Sequence, residues 1–360
     1  MNFSQSGNGS GMQPTICLVP KLTGIGGMVS FQAKLAEGLS RRGINVCYDI
    51  NQTNADAILV IGGTRQLLQL WQARKRGIRI VQRLDGMNWI HRRLNTGIEH
   101  WIRAEYGNII LGVIRSYLAD AIAYQSNFSK DWWEKERGKT NCPNVVIHNG
   151  VDLSTFKPVD LDNFYKNETR LLLVEGSLLG GYEFGLENGI YLANELASKT
   201  NIEKRIELVV AGKVPNALQN YWENWVEENK STDLLKIRWI GVVEHNKIHQ
   251  VYQDADLLYS ADINAACPNS VIESLASGTP VIGFDTGALS ELLDDNGGVV
   301  VPYGGSPWKV DPPDIPLLAE NANIILNNLD FYRESARRRA KSAFDLEKMV
   351  DLYVQLLLGG

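Results

Sequence analysis

Three glycines near the start of the chain carry the first chemical signal. Gly24, Gly26 and Gly27 follow an apolar segment, Thr15 to Val19, that is typical of a β-strand, and they precede a segment with helical periodicity. Unpaired N–H groups and the positive dipole end at a helix start attract phosphate. The pattern therefore predicts a phosphate contact at Gly26 and Gly27, although a tight turn without a ligand has the same composition.

A longer segment in the second half carries more specific chemistry. It contains Pro268, Asn269 and Ser270, followed at the entrance of a predicted helix by Glu273. A carboxylate at such a position can accept two hydrogen bonds from vicinal hydroxyls, while Asn269 and Ser270 offer capping groups and backbone donors. The plainer interpretation of Glu273 is a solvated or helix-capping side chain.

Alternating strand and helix patterns must position these residues. Both halves of the chain interleave short apolar runs with longer amphipathic segments, which predicts parallel βαβ units and an α/β fold. The predicted strands are Thr15–Val19, Asn45–Tyr48, Ala57–Ile61, Ile78–Gln82, Ala121–Gln125, Val145–His148, Arg170–Val174, Ile206–Val210, Ile237–Ile240, Leu257–Tyr259, Pro280–Phe284 and Val299–Val301.

The length of 360 residues favours two cores with a cleft between them. The polar run from Leu153 to Thr169, which contains Pro158, predicts the linker. We expect one domain over residues 1–158 and a second over 159–344. The apolar spacing of Leu346–Leu358 predicts a last helix, and we expect residues 345–360 to pack back on the first domain.

Composition excludes several partners and compartments. A net charge of −5 gives no general attraction to nucleic acid. The four cysteines form no CxxC pair, and Met1–Gln13 lacks a signal-peptide pattern, so we expect reduced thiols and a cytoplasmic protein. No window reaches the length of a membrane-spanning helix.

Three stretches together resemble glycosyltransferase family 4. They are Gly26-Gly27, the run from His148 to Asp152, and the run from Pro268 to Gly287. The resemblance implies a GT-B fold of two facing Rossmann-like domains with parallel sheets. It also implies a nucleotide-diphosphate sugar bound mainly by the second domain, transfer with retention of configuration, and no required metal or other cofactor.

The same resemblance assigns roles to residues. It implies that Glu273 holds the donor ribose and that Pro268, Asn269, Ser270 and backbone donors hold the sugar and diphosphate. A family carboxylate that addresses the transferred sugar would fall at position 265, where this chain has Ala265.

Two further departures concern charge. Ser177 stands where the family has an arginine that neutralises the leaving diphosphate, so glycine backbone donors, Lys213 or an arginine of the first domain must supply that role. Asp85 stands where the family has a histidine, at the carboxyl end of a strand, and could orient an acceptor hydroxyl or accept its proton. Asp85 could equally pair with Arg83 or cap the next turn, and His91 is a weaker substitute.

Other chemistries find less support. His245 and His249 lie four apart, but no third ligand accompanies them, so we expect no metal site. The glycine spacing lacks the full dinucleotide fingerprint, which disfavours a nicotinamide-dependent oxidoreductase.

The segment from Trp71 to Arg103 mixes tryptophans with arginines. Either it rests on an anionic inner membrane surface, or the arginines are solvated and the tryptophans buried.

Two functions are consistent with these residues. The leading hypothesis is a retaining glycosyltransferase that acts on a saccharide or lipid-linked acceptor. The alternative is a protein of the same fold that binds a sugar nucleotide or saccharide and has lost turnover, as Ala265 and Ser177 suggest.

Overall fold

The computed structural model describes residues 13–24, 26–52, 55–159, 168–178, 183–199, 205–229, 234–294 and 297–359. Two parallel sheets, each of six strands within those residues, dominate it. Their strand orders are β2-β1-β3-β4-β5-β6 and β12-β11-β10-β7-β8-β9, so each sheet is open and doubly wound. The predicted α/β class with two Rossmann-like units is confirmed.

The first sheet and its helices occupy the first half of the chain. Its strands are β1 (Thr15–Val19), β2 (Asn45–Cys47), β3 (Ala57–Ile61), β4 (Arg79–Leu84), β5 (Ala121–Tyr124) and β6 (Asn144–Val146). The helices are α1 (Gly27–Arg41), α2 (Leu67–Lys75), α3 (Ile98–Val113) and α4 (Asn127–Arg137), with a 3₁₀ turn at Ile90–Arg92 and a π-helical turn at Ile114–Leu118.

The second sheet and its helices follow. Its strands are β7 (Glu168–Ser177), β8 (Arg205–Lys213), β9 (Leu235–Gly241), β10 (Leu257–Ser260), β11 (Val281–Phe284) and β12 (Gly298–Val301). The helices are α5 (Glu183–Lys199), α6 (Asn216–Glu228), α7 (Ile248–Gln253), α8 (Asn269–Ala276), α9 (Leu289–Leu293), α10 (Ile315–Asn327), α11 (Leu329–Ala343) and α12 (Leu346–Leu358), with a 3₁₀ turn at Pro307–Lys309.

Helix α1 illustrates how the sequence builds these layers. Phe31, Leu35 and Leu39 recur at four-residue spacing, and all three are buried against the first sheet. The helix stops before Gly43, whose φ of 71° is easily reached only without a Cβ. One amphipathic face and one glycine thus fix the helix's packing and its end.

The last helix packs on the first sheet although it follows the second. In α12, Met349, Val350 and Tyr353 are buried in the same cluster as Leu35. The approach to α1 is close, because a Cβ on Gly38 would lie 2.5 Å from the Val350 side chain. Sequence periodicity alone located the bounds of this helix.

The predicted linker, Leu153 to Thr169, lies only partly within the described residues. Residues 160–167 lie outside the described residues, as does the leader over 1–12. Strand β7 already begins at Glu168, two residues before the predicted strand, so Glu168 and Thr169 pair with β8 and are not linker. The boundary at residues 158 and 159 stays a prediction.

Candidate functional site

A cavity of about 550 Å³ lies at the carboxyl ends of the first sheet's strands. Its first-domain wall includes Gly62 after β3, the segment from Asp85 to His91 after β4, and Tyr106 of α3. The second domain closes it with residues 262–266, the loop between β10 and α8. Ligands of doubly wound folds bind beyond the carboxyl strand ends, so this is the candidate site.

Asp85 is the carboxylate of the first-domain wall. Its main-chain oxygen accepts hydrogen bonds from Trp133 Nε1 at 2.7 Å and Ser129 Oγ at 3.2 Å, which fixes the residue at the strand end. Burial raises the pKa of the Asp85 carboxyl, and the positive charge of Arg83 opposes that rise.

Arg83 does not form the ion pair with Asp85 that the sequence left open. Its Nη2 donates to Asn149 Oδ1 at 2.8 Å, and its guanidinium lies 3.8 Å from the centre of the Phe31 ring. Asp85 therefore has no ion-pair partner among the described residues. Its carboxyl is available to a ligand.

His91 lies in the same wall and is held from one side. Its Nε2 lies 3.0 Å from Glu105 Oε1, while Nδ1 is buried without a hydrogen-bond partner in the described part of the chain. Hydrogen bonding from Arg92, and then from His91, lowers the pKa of Glu105 to about 2, so Glu105 is an acceptor. Nε2 of His91 then carries the proton of this hydrogen bond.

A hydrogen bond and close packing fix the backbone of the second-domain loop, residues 262–266. Ala288 N donates to Ala265 O at 2.9 Å, and a Cβ on Gly287 would lie 2.5 Å from that oxygen. Asn264 adopts a φ of 58° and is 4% exposed, and its Nδ2 finds no acceptor among the described residues. The loop thus has a fixed backbone and an unpaired amide.

Two half-buried carboxyls, Glu175 and Asp262, lie near the carboxyl ends of β7 and β10. Burial raises the pKa of Asp262 to about 6. Burial and the charge of Asp262 raise the pKa of Glu175 well above its usual range. Only Asp262 lines the cavity.

Glu273 lies on α8 at the junction of the domains, not in the cavity wall. It is 7% exposed, with Oε1 lying 3.2 Å from Lys34 Nζ and Oε2 accepting from Tyr252 OH at 3.4 Å. Because Lys34 belongs to α1, the ion pair joins the two domains. The carboxylate is therefore already engaged by protein groups.

The start of α8 differs from the predicted cap. Pro268 occupies the N-cap, and no side chain caps the helix, so the expected capping by Asn269 and Ser270 is wrong. The Asn269 side chain instead accepts from Asn149 Nδ2 at 2.9 Å, because it faces the first domain. Its amide also lies 3.5 Å from where a Cβ on Gly27 would stand.

The glycine loop reaches the junction as well. Gly26 has a φ of 141°, and a Cβ on it would meet no atom within 4 Å. Gly27 begins α1 beside Asn269. The structure therefore brings Gly26, Gly27 and Asn269 together.

Ser177 and Lys213 lie elsewhere, at the ends of β7 and β8. They are neighbours in the parallel ladder, and Lys213 is exposed. The side chain of Ser177 lies outside the described residues. Neither residue lines the cavity.

Glu291 is a junction residue that sequence reasoning missed. On α9, it accepts hydrogen bonds from Asn127 N at 2.9 Å, Phe128 N at 3.3 Å and His148 Nε2 at 2.8 Å. It thereby caps α4 of the other domain. No local pattern marks Glu291, since all its partners are distant in sequence. Lys34 was missed for the same reason, and Asp262 and Asn264 were missed because their placement depends on the backbone conformation of their loop.

Among the described residues no group of three or more histidine, cysteine, aspartate or glutamate side chains could hold a metal ion. His245 lies in a turn before α7 begins at Ile248, so it does not share a helix with His249 as its spacing suggested.

Helix α3 has an exposed apolar face that we call the α3 face. It consists of Ile98, Trp101, Ile102, Tyr106 and Ile109, each between 45% and 72% exposed. Trp71 is also exposed, so the expectation of buried tryptophans is wrong for two of the three in the segment. No helix in the described ranges is both long and apolar enough to span a bilayer.

Known proteins resemble the second domain in sequence and the whole chain in fold. Residues 181–328 match the family model described as Glycosyl transferases group 1. The alpha-monoglucosyldiacylglycerol synthase of Streptococcus pneumoniae is 23% identical over 229 residues, which span 58% of this chain and half of that relative.

Solved structures extend the likeness in fold to both domains. Sucrose-phosphate synthase from Thermosynechococcus elongatus has a TM-score of 0.72 at 17% identity, covering 97% of this chain and 100% of its own. HepE from Anabaena, in complex with UDP and glucose, has a TM-score of 0.69 at 15% identity with the same coverages. The predicted GT-B architecture is confirmed.

Proposed function

We propose that this chain transfers a sugar from a nucleotide diphosphate to a saccharide or lipid-linked acceptor, with retention of configuration and without a metal. The observation that carries the proposal is the interdomain cavity, in which Asp85 of one domain faces residues 262–266 of a glycosyl transferases group 1 domain. The solved HepE complexes with UDP and with UDP-glucose support the choice of donor class.

In this proposal each domain has its own task. Glu273 holds the ribose, and Pro268, Asn269 and Ser270 with the glycine loop, Gly26-Gly27, hold the diphosphate and sugar. Ribose binding requires that its hydroxyls share or replace the contact between Glu273 and Lys34. The exposed Lys213 is a candidate cation for the leaving diphosphate.

Asp85 serves the acceptor. The acceptor oxygen bonds to the anomeric carbon as the bond from that carbon to the diphosphate breaks. Asp85 orients the attacking hydroxyl, and the raised pKa of its carboxyl suits it to accept the hydroxyl proton.

The test is transfer by the purified chain from a panel of nucleotide sugars to mixed acceptors. We expect product with at least one donor and loss of most activity in Glu273→Ala. Glu37→Ala is the matched control, because Glu37 is an exposed glutamate on α1. A Glu273→Ala variant as active as the parent would remove this site.

A binding protein without turnover is the second candidate. The engaged state of Glu273 and the methyl group at Ala265 favour it. It predicts heat of binding with a nucleotide sugar in calorimetry and no product in the same preparation. Clear product formation dismisses it.

The α3 face extends this proposal to the acceptor's source. Tyr106 belongs to the α3 face and also lines the cavity. Arg103, nearby on α3, lines the cavity as well. Arg65, also in the cavity wall, lies 5.8 Å from the Tyr106 ring. We propose that the face rests on an anionic membrane, because apolar side chains beside arginines suit such a surface and would place a lipid-linked acceptor at the cavity mouth.

Vesicle sedimentation tests the membrane contact. We expect binding to vesicles containing phosphatidylglycerol and little binding to pure phosphatidylcholine. Replacing Ile98 and Ile102 with serine should abolish it, while Leu352→Ser, at an exposed leucine of α12, should not. Equal sedimentation of parent and double variant would contradict the proposed face.

A further inference from the structure

We infer that Asp262 and Asn264 form the subsite for the hydroxyl groups of the transferred sugar. The inference rests on the proposed function and assigns the sugar half of the donor to residues that the family resemblance did not mark. Both side chains belong to the loop between β10 and α8, and both line the interdomain cavity.

Asn264 supplies a hydrogen-bond donor to the sugar. Its side chain is almost fully buried, yet its Nδ2 has no acceptor among the described residues. Leaving a buried amide unpaired is costly, so native proteins rarely do so without a ligand or water. The residue also holds a φ of 58°, a conformation that asparagine adopts more readily than most residues.

Asp262 supplies a hydrogen-bond acceptor for the sugar. Its carboxyl lies at the same cavity wall, two residues before Asn264, and the Ile263 backbone N–H bonds to it. A carboxylate accepts from a hydroxyl while an amide donates to a hydroxyl oxygen. Adjacent groups of opposite hydrogen-bonding sense fit the vicinal hydroxyls of a sugar ring.

The backbone around Ala265 explains why these two residues are suited to the task. Gly287 and Ala288 press against the main chain of Ala265, so the loop cannot shift easily. Ala265 itself offers the cavity only a methyl group. Asp262 is the carboxylate that this loop directs to the cavity.

Paired binding measurements separate the sugar from the nucleotide. Calorimetry would measure the Kd of UDP and of UDP-glucose, with GDP and GDP-mannose as a second pair. The variants are Asp262→Asn and Asn264→Gly; glycine keeps the positive φ while removing the amide. Asp285→Asn is the control, because Asp285 is exposed on the neighbouring loop.

We expect both variants to bind the nucleoside diphosphate within about twofold of the parent. The sugar nucleotide should bind about tenfold more weakly, because Asn264→Gly removes one hydrogen bond and Asp262→Asn removes the charge of another. Asp285→Asn should leave both constants unchanged. Unchanged diphosphate binding also reports correct folding. If Asp262→Asn does not fold, Asn264→Gly decides alone.

Two contrary results have different meanings. If the parent binds a sugar nucleotide and both variants keep its affinity, the subsite is wrong while the proposed function stands. A folded variant that loses both ligands equally also contradicts the subsite. If the parent binds neither pair nor any other sugar nucleotide, the proposed function fails and the subsite fails with it.

Discussion

The contact between the domains has two regions that treat polar groups in opposite ways. In the sealed junction, formed by Lys34, Asn149, Asn269, Glu273 and Glu291, each residue has a polar partner in the other domain. In the cavity, His91 Nδ1 and Asn264 Nδ2 are buried without partners in the described chain. Asp85 and Asp262 carry carboxyls with raised pKa values.

The difference separates stability from function. Satisfied polar groups hold the domains together, because their desolvation is repaid by hydrogen bonds. Unsatisfied groups lower stability and persist where a ligand completes them. Substitutions in the two regions should therefore move different observables.

Asp85→Asn should have the largest effect. We expect sugar transfer to fall by roughly 100-fold or more, as for the loss of a general base. The melting temperature should stay equal or rise, since a half-buried carboxyl without an ion-pair partner among the described residues is removed. Transfer rates and calorimetric melting check both parts, and a large loss of stability with unchanged activity would assign Asp85 to the junction.

Glu291→Ala should show the reverse pattern. It removes the acceptor for two α4 backbone donors and for His148, so we expect unfolding to become easier by about 2 kcal/mol. Urea denaturation measures this, with Glu320→Ala on the exposed side of α10 as control. A variant as stable as its control would show that the junction is not stabilised by this contact.

The carboxyl pair Glu175 and Asp262 makes stability depend on pH. Their pKa values are raised in the folded state, to about 6 for Asp262, so the folded protein binds more protons than the unfolded chain. The destabilising effect is therefore present at high pH, and it fades as the pH falls through the raised folded-state pKa values towards the unfolded values near 4.

Glu175→Gln isolates this contribution. At pH 8 we expect the variant to melt roughly 2–4 °C above the parent, the shift that about 1 kcal/mol produces. The difference should shrink towards pH 5, which melting curves at several pH values would reveal. A constant difference across that range would show that the pKa of Glu175 is not raised in the folded protein.

Sequence patterns predicted the architecture better than the site. The twelve strands and α12 follow from local apolar periodicity, which a buried layer imposes directly. Asp85 could be located because it ends a strand whose carboxyl edge faces a cleft. Lys34, Glu291 and Asn264 could not, because their roles depend on contacts across more than 20 residues or on one loop's backbone geometry.

Lys34→Met should have the smallest effect on ligand affinity. Glu273 keeps its bond from Tyr252 but loses its cation while largely buried, so we expect unfolding to become easier by about 3 kcal/mol. If the ribose replaces Lys34, UDP affinity should stay within about twofold in Lys34→Met but fall about tenfold in Glu273→Gln. Equal losses in both variants would instead show that the ion pair acts as a unit, and that Glu273 serves the sealed junction more than the nucleotide.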